Sequence, residues 1–256
     1  MAIKYSVEGN SFQGRRNENQ DSLTFARGSD IYAIADGVSD RPNAKEGSSS
    51  AVKVVRNLLE EKIRRHKGKP ADWAKAAMER ANEIVFTMNC VRDNSGEVQV
   101  AKLANTTLDF GFVHNQVLYG AHIGDSRVYL LSNEGNLEQI TTDHSTDGYL
   151  QKMLGKIKHI EDPKDYDSYA IPLAGYKRIL FATDGVYKLL SNDELKRSLE
   201  AKDAPAALGA IFALAAKPVD IAKKYVEEHK VPLEHAQSRL GRNDNMTAIV
   251  VVMEGK

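Results

Sequence analysis

Apolar residues in the first third of the chain follow two different patterns. The run "IYAIAD", residues 31 to 36, has no internal charge and has the length of a buried strand. From about Ala44 to Arg65, apolar residues recur at steps of three or four between charged ones, which predicts an amphipathic helix. A second helix is predicted from about 70 to 91, with Trp73 and Met88 on its inner face. This part of the chain is therefore expected to form a strand followed by two helices.

The pattern changes to a period of two over residues 106 to 141. Turn signals at "HNQ", "GDS" and "NEG" divide this stretch into strands, and short turns of this kind join antiparallel neighbours. The segment 145 to 175 is polar and irregular, and a loop of that length is usually functional or mobile. "RILFAT" predicts the next strand and "MTAIVVVM" the last one. Between these two strands, helices are predicted at about 192 to 202, 204 to 216 and 218 to 229.

The order of these elements favours one fold class. Strands and helices occur in blocks without regular alternation, which is typical of α+β proteins. The 256 residues, 42% of them hydrophobic, are enough for one large core, and no repeat or linker interrupts them. We expect a single domain over residues 1–256.

Charge and cysteine content indicate which partners and which compartment to expect. Lys plus Arg and Asp plus Glu each number 35, and no sustained basic stripe predicts binding to nucleic acid or anionic lipid. The only cysteine, Cys90, cannot form an internal disulfide, which fits a reducing compartment. No run reaches the roughly 18 apolar residues of a membrane span, and the N-terminus lacks a signal-peptide core. We expect a cytoplasmic monomer with no nucleic-acid or membrane partner.

Three acids, Asp36, Asp184 and Asp244, lie beside strand-like segments, and glycine follows the first two. Strand ends at one sheet edge would cluster these carboxylates, which repel one another unless protons or cations neutralise them. Oxygen ligands without thiol or imidazole suit magnesium or manganese better than zinc. Glycine lets the backbone turn sharply and leaves its carbonyl free to approach a cation. The alternative is that each Asp-Gly only makes a turn after a strand, and spacing alone does not decide between the two.

Seven motifs follow one another along nearly the whole chain. They are "QGRRNENQD", "IADGV", "NTTLDFGFV", "HIGDSRVYLL", "TTDHS", "LFATDGV" and "NDNMTAIVV". Each is a weak signal, but their order is specific. In that order they resemble the motifs of the type 2C metal-dependent protein serine/threonine phosphatases. The resemblance implies a four-layer α-β-β-α sandwich, in which two antiparallel sheets are flanked by helices.

The resemblance also implies a dinuclear Mn²⁺ or Mg²⁺ centre. Asp36 would bridge the two cations, the Gly37 carbonyl would ligate one, and Asp184 and Asp244 would complete the other. Water shared by two cations loses a proton near neutral pH and attacks phosphorus in line, so no phosphoenzyme is needed. Arg16, three residues before Asn19 as in the family motif, would hold two phosphate oxygens with its planar guanidinium.

Other positions have open roles or depart from the family. The family's first acidic pair appears here as Gln20-Asp21, so Asp21 keeps a carboxylate beside the second metal and Gln20 replaces one with an amide. Metal affinity there is expected to be lower. Asp125 either caps the tight turn in "GDSR" or helps to hold a third, weaker metal, as the matching acid does in bacterial relatives. His144 in "TTDHS" is expected to be structural, with no role as a base.

Two further departures concern protonation and specificity. Val38 occupies the place where many eukaryotic members carry a histidine proposed as general acid, which leaves that role unassigned. The loop 145 to 175 lacks the family's usual flap sequence, so it gives little information about the substrate.

The resemblance implies hydrolysis of phosphoserine and phosphothreonine in protein substrates, opposed by a serine/threonine kinase. One alternative is an inactive phosphatase fold that binds a phosphoprotein or another partner, and the intact set of acids with Arg16 argues against it. Another alternative is a hydrolase of small phosphoesters. Turnover on phosphopeptides relative to nucleotides and sugar phosphates discriminates this alternative from a protein phosphatase.

Overall fold

The computed structural model of the protein describes residues 4–26, 30–216 and 244–254. Its strands are β1 (Lys4–Phe12), β2 (Asp21–Ala26), β3 (Ile31–Asp36), β4 (Cys90–Arg92), β5 (Val98–Val100), β6 (Leu108–His114), β7 (Val117–Ile123), β8 (Arg127–Ser132), β9 (Leu137–Gln139), β10 (Ser145–Thr146), β11 (Tyr149–Leu150), β12 (Asp167–Pro172), β13 (Tyr176–Ala182) and β14 (Met246–Glu254). Its helices are α1 (Ala44–Arg65), α2 (Pro70–Met88), α3 (Asp184–Tyr187), α4 (Asn192–Leu199) and α5 (Ala204–Ala215). The helix expected at 218 to 229 lies outside the described residues.

Ten of these strands form two five-stranded antiparallel sheets. One sheet has the order β1-β14-β13-β8-β9, and the other has the order β12-β7-β6-β3-β2. The register of β2 and β3 places Asp21 directly opposite Asp36 at one end of the second sheet. Two short ribbons, β4 with β5 and β10 with β11, lie outside the two sheets.

The core is divided into three layers of apolar side chains. Helices α1 and α2 cover the second sheet, where Val55 and Trp73 are buried with Phe110. Helices α3 to α5 cover the first sheet. Side chains such as Tyr32 and Phe181 fill the space between the two sheets. Helices therefore lie outside two facing sheets, which is the α-β-β-α arrangement expected from the sequence.

Local sequence accounts for the ends of the helices. Helix α1 ends where His66 adopts a left-handed conformation, and α2 begins with Pro70, whose ring fits the first helical turn. Helix α4 begins with a capping box in which Ser191 and Glu194 satisfy each other's backbone N–H groups. No helix in the described ranges combines the length and apolar character that crossing a bilayer requires.

The structure corrects the expectation of a purely irregular segment from 145 to 175. Residues Asp167–Pro172 form β12, the edge strand that pairs with β7. Every second residue of β12 is exposed, so its sequence lacks the apolar run that identifies a central strand. Strand β1 was also not predicted, because six of its nine residues are only partly buried and the other three are exposed.

Candidate active site

Two carboxylates face each other at the end of the second sheet. Asp21 opens β2 and is 1% exposed, and Asp36 ends β3 and is partly buried. Burial raises the pKa of Asp21 to about 7, and repulsion from Asp184 and Asp244 acts in the same direction. The pKa of Asp36 is also raised well above its usual range, first by burial and then by the charges of Asp21, Asp184, Asp244 and Asp125. The carboxylates proposed from sequence therefore act electrostatically on one another.

The backbone of Asp36 is fixed by Thr106 and Thr107 of the "NTTLDFGFV" motif. The Asp36 N–H donates to Thr107 Oγ1 at 2.9 Å, and its carbonyl accepts from Thr106 Oγ1 at 2.8 Å and from the Thr107 N–H at 2.9 Å. These bonds hold the end of β3 against residues 106 and 107, so they position the carboxylate without contacting it.

The two glycines of the Asp-Gly motifs are required by close approach of other backbone. A Cβ on Gly37 would lie 2.6 Å from the Ala44 carbonyl oxygen and 2.9 Å from that of Gln20. A Cβ on Gly185 would lie 2.1 Å from the Asn245 carbonyl oxygen. Neither glycine has the positive φ of a tight glycine turn. The repeated motif therefore brings each aspartate close to a neighbouring segment, which a simple turn would not require.

Asp184 and Asp244 lie at the end of the first sheet, close enough to Asp21 and Asp36 to raise their pKa values. Asp184 begins α3 directly after β13, and Asp244 precedes β14, the strand that pairs with β13. Asn245 joins this sheet to the N-terminal loop, since its side-chain amide donates to the carbonyls of Gln13 and Glu18 and accepts from the Gln20 N–H. Asn245 was not proposed from sequence, although it stands in the "NDN" motif. Its bonds hold the two sheets' acidic ends together.

Two basic side chains lie against these acids. Arg16 makes a bidentate ion pair with Asp244, with Nε 3.1 Å from Oδ1 and Nη2 3.0 Å from Oδ2. Lys188 lies one helical turn after Asp184, and its Nζ is 2.5 Å from Asp184 Oδ2. Arg16 was proposed from sequence, whereas Lys188 was missed, although its spacing of four residues from Asp184 was available as a signal.

The turn that carries Asp125 is held by residues from several elements. Tyr187 Oη donates to the Asp125 carbonyl at 2.8 Å. The His144 backbone N–H donates to the Gly124 carbonyl at 2.7 Å, and His144 Nδ1 accepts from the Gly124 N–H at 3.2 Å. His144 Nε2 also lies 3.0 Å from Asp167 Oδ2. His144 therefore positions the turn, which agrees with the structural role expected from its sequence.

The donor set fits divalent cations that prefer oxygen. Within the described ranges, no group of three or more His, Cys, Asp or Glu side chains stands ready to hold a metal ion, and Arg16 and Lys188 pair with two of the proposed ligands. Asp21 Oδ1 and Asp184 Oδ1 are nevertheless buried without a hydrogen-bond partner among the residues described. Buried carboxylate oxygens are normally hydrogen-bonded or bound to a cation. These oxygens therefore suit Mg²⁺ or Mn²⁺ as ligands.

Residues 8–213 match the family model described as protein phosphatase 2C, which covers well over half of the chain. The chain belongs to the protein phosphatase 2C family. The matched stretch includes Arg16, Asp21, Asp36, Asp125 and Asp184. Asp244 lies beyond it, and its place in the site rests on the pairing of β13 with β14.

Relatives in this family include the serine/threonine phosphatase stp of Listeria monocytogenes, 24% identical over 208 residues that cover 73% of this chain and 79% of stp. The solved structure of the serine/threonine phosphatase PstP of Mycobacterium tuberculosis superposes with a TM-score of 0.70 at 20% identity. The superposition covers 99% of this chain and 100% of the solved PstP chain. The PstP catalytic domain in complex with two manganese ions also superposes with a TM-score of 0.70, at 20% identity over 99% of this chain and 100% of that one. The protein phosphatase 2C fold expected from the sequence is confirmed.

Proposed function

We propose that this protein hydrolyses phosphoserine and phosphothreonine in proteins at the site where Asp36 meets the other carboxylates. Membership of the protein phosphatase 2C family makes it a metal-dependent phosphoprotein phosphatase. The location is supported by the register that sets Asp21 directly opposite Asp36, and by the repulsion that acids from both sheets exert on Asp36, which together with burial raises its pKa. Only cations or protons relieve such repulsion.

We propose two Mn²⁺ or Mg²⁺ ions as cofactors, and Asp36 would help to hold both. The Gly37 carbonyl would hold one ion, and Asp184 and Asp244 would hold the other, with Asp21 beside this second ion. Such a centre supplies a water whose pKa is lowered to near neutrality and which is oriented for in-line attack on phosphorus. The Thr106 and Thr107 hydrogen bonds keep the Asp36 carboxylate at the point where the two sheets meet.

Arg16 is proposed as the phosphate-binding residue. Its guanidinium already lies among the carboxylates through the bidentate pair with Asp244. Neutralisation of Asp244 by metal binding would release these N–H groups, and the same planar geometry that fits a carboxylate fits two phosphate oxygens. Charge that builds on those oxygens during hydrolysis would strengthen the contact.

The substrates we propose are phosphorylated proteins, and a serine/threonine kinase would act in opposition. We further propose a cytoplasmic monomer whose residues 1–256 form one domain. The names of the relatives, which are serine/threonine phosphatases, support protein substrates.

The test is phosphate release from a phosphothreonine peptide after chelation and again after addition of Mn²⁺. Activity should vanish with chelator and return with the metal. Asp36→Asn should lower the rate by more than about tenfold, a barrier increase above ~1.4 kcal/mol, while the exposed control Asp72→Asn keeps the wild-type rate. Activity in metal-free buffer, or an active Asp36→Asn, would refute the mechanism. Faster turnover of nucleotides or sugar phosphates than of phosphopeptides would indicate a small-molecule enzyme instead.

A further inference from the structure

Lys188 is a cation placed inside the acidic site by the local geometry of α3. Its backbone N–H donates to the Asp184 carbonyl at 3.0 Å, which aligns the two side chains on one face of the turn. The Lys188 side chain is 33% exposed and Asp184 is 14% exposed, so the 2.5 Å ion pair between them is largely removed from solvent. An ion pair of this kind is screened less by salt than a surface pair.

The charge of Lys188 acts on more than one carboxylate. Burial lowers the pKa of Lys188, but the charges of Asp184, Asp125 and Asp36 raise it, and the net change is upward. A lysine side chain is ordinarily an ammonium at neutral pH, and this one lies against a carboxylate. The charge of Asp184 repels that of Asp125, and the charge of Lys188 attracts it. Lys188 thus offsets part of the repulsion between Asp125 and Asp184.

The same helical turn also fixes the Asp125 backbone. Tyr187, the residue before Lys188, donates its hydroxyl to the Asp125 carbonyl. Tyr187 and Lys188 together therefore join α3 to the turn between β7 and β8. An ammonium has three N–H donors on a flexible stem, so it can serve two carboxylates from one position.

We propose that the Lys188 ammonium takes the place of a third metal ion between Asp184 and Asp125, so that Asp125 is not a metal ligand in this protein. The inference rests on the proposed dinuclear centre, to which Asp184 would contribute its other oxygen. Asp184 Oδ1 is buried and has no hydrogen-bond partner in the part of the chain that the structure describes, so it is available to that centre. A further divalent cation near the ammonium would be repelled by it.

The proposal is tested by calorimetric titration of Mn²⁺ into the full-length chain, which requires no phosphatase assay. Wild type should bind about two ions per chain, the number of a dinuclear centre. Lys188→Met removes the charge but keeps an unbranched stem, and should bind about three ions, the third more weakly. Adding Asp125→Asn to Lys188→Met should return the number to about two. Lys188→Arg keeps the charge and should behave as wild type, as should Lys202→Met, whose side chain is 83% exposed in wild type.

Three other outcomes of the titration would overturn the proposal. If Lys188→Met and wild type bind the same number of ions, the proposal is wrong, whether or not the affinity changes. If wild type already binds three, Lys188 does not replace a cation. If no variant binds Mn²⁺, the dinuclear centre itself fails, and this inference fails with it. Circular dichroism checks the fold, and Lys188→Gln replaces Lys188→Met if the latter is unfolded.

Discussion

Replacing Asp21 by asparagine should make the metal-free protein more stable at alkaline pH. Asp21 is 1% exposed, and burial followed by repulsion from Asp184 and Asp244 raises its pKa from 3.8 to about 7. At about 1.4 kcal/mol per pKa unit, ionising this carboxyl in the folded state lowers the free energy of unfolding by about 4 kcal/mol. Asparagine carries no charge, so the variant avoids that loss.

The substitution also has a cost. Asparagine can still accept the hydrogen bond that Thr183 Oγ1 donates to Asp21 Oδ2 at 2.9 Å. Its amide nitrogen, however, would take the place of Oδ1, which has no hydrogen-bond partner in the described structure. A buried N–H group without an acceptor costs about 1–3 kcal/mol, which leaves a net gain of about 1–3 kcal/mol at pH 8.

The sign of the difference should reverse with pH. The folded-state pKa of Asp21 is raised, so its contribution to stability is fully present below about pH 4 and is lost as the pH rises through about 7. At pH 4 the carboxyl is protonated in the folded wild type, so the difference in the free energy of unfolding comes mainly from the unpaired amide of the variant. Asp21→Asn should therefore be less stable than wild type at pH 4 and more stable at pH 8.

The assay is urea unfolding of both proteins in excess chelator at the two pH values. Midpoints and slopes give the free energies of unfolding, and titrating groups remote from Asp21 cancel in the difference between the proteins. Asp36 does not cancel, because the Asp21 charge helps to raise its pKa, and loss of that charge acts in the same direction as the predicted gain at pH 8. A variant that is less stable than wild type by the same amount at both pH values would refute the reasoning. Addition of Mn²⁺ at pH 8 should stabilise wild type more than the variant, because only wild type keeps the full set of carboxylates.

Substitutions at two further positions test the surroundings of the site. Gln20→Glu should lower the Mn²⁺ concentration for half-maximal phosphatase rate several-fold, because a carboxylate compensates more of the cation's lost hydration than an amide does. Superimposable Mn²⁺ titration curves for the variant and wild type would show that the amide makes no difference. His144→Ala should lower the free energy of unfolding by about 1–3 kcal/mol through loss of the acceptor for the Gly124 N–H, whereas His144→Asn should recover part of this, since its Oδ1 takes the place of Nδ1. Equal losses for the two His144 variants, measured by urea unfolding, would show that the Gly124 bond is not the cause.

Strong periodicity determined the elements that were predicted well. The bounds expected for α1, Ala44 to Arg65, are those observed, because its apolar face is regular and charged residues cover the other. Helix α2 ends at Met88, slightly before the predicted residue 91. Strands β1 and β12 were missed because both lie at sheet edges and contain no fully buried residue, so neither has the continuous apolar run of a central strand.

The sequence by itself determined the family, because the Asp-Gly motifs and their order are specific to it, and through the family it predicted which acids form the site. It could not determine their partners. Arg16 pairs with Asp244, and His144 accepts a hydrogen bond from the Gly124 N–H, although the members of each pair are distant in sequence. Only strand pairing and the packing of the two sheets bring them together. The tertiary structure likewise decided the pKa of each carboxyl group. Folding buries Asp21 and Asp36, and the two sheets bring acids from distant parts of the chain close enough to repel one another.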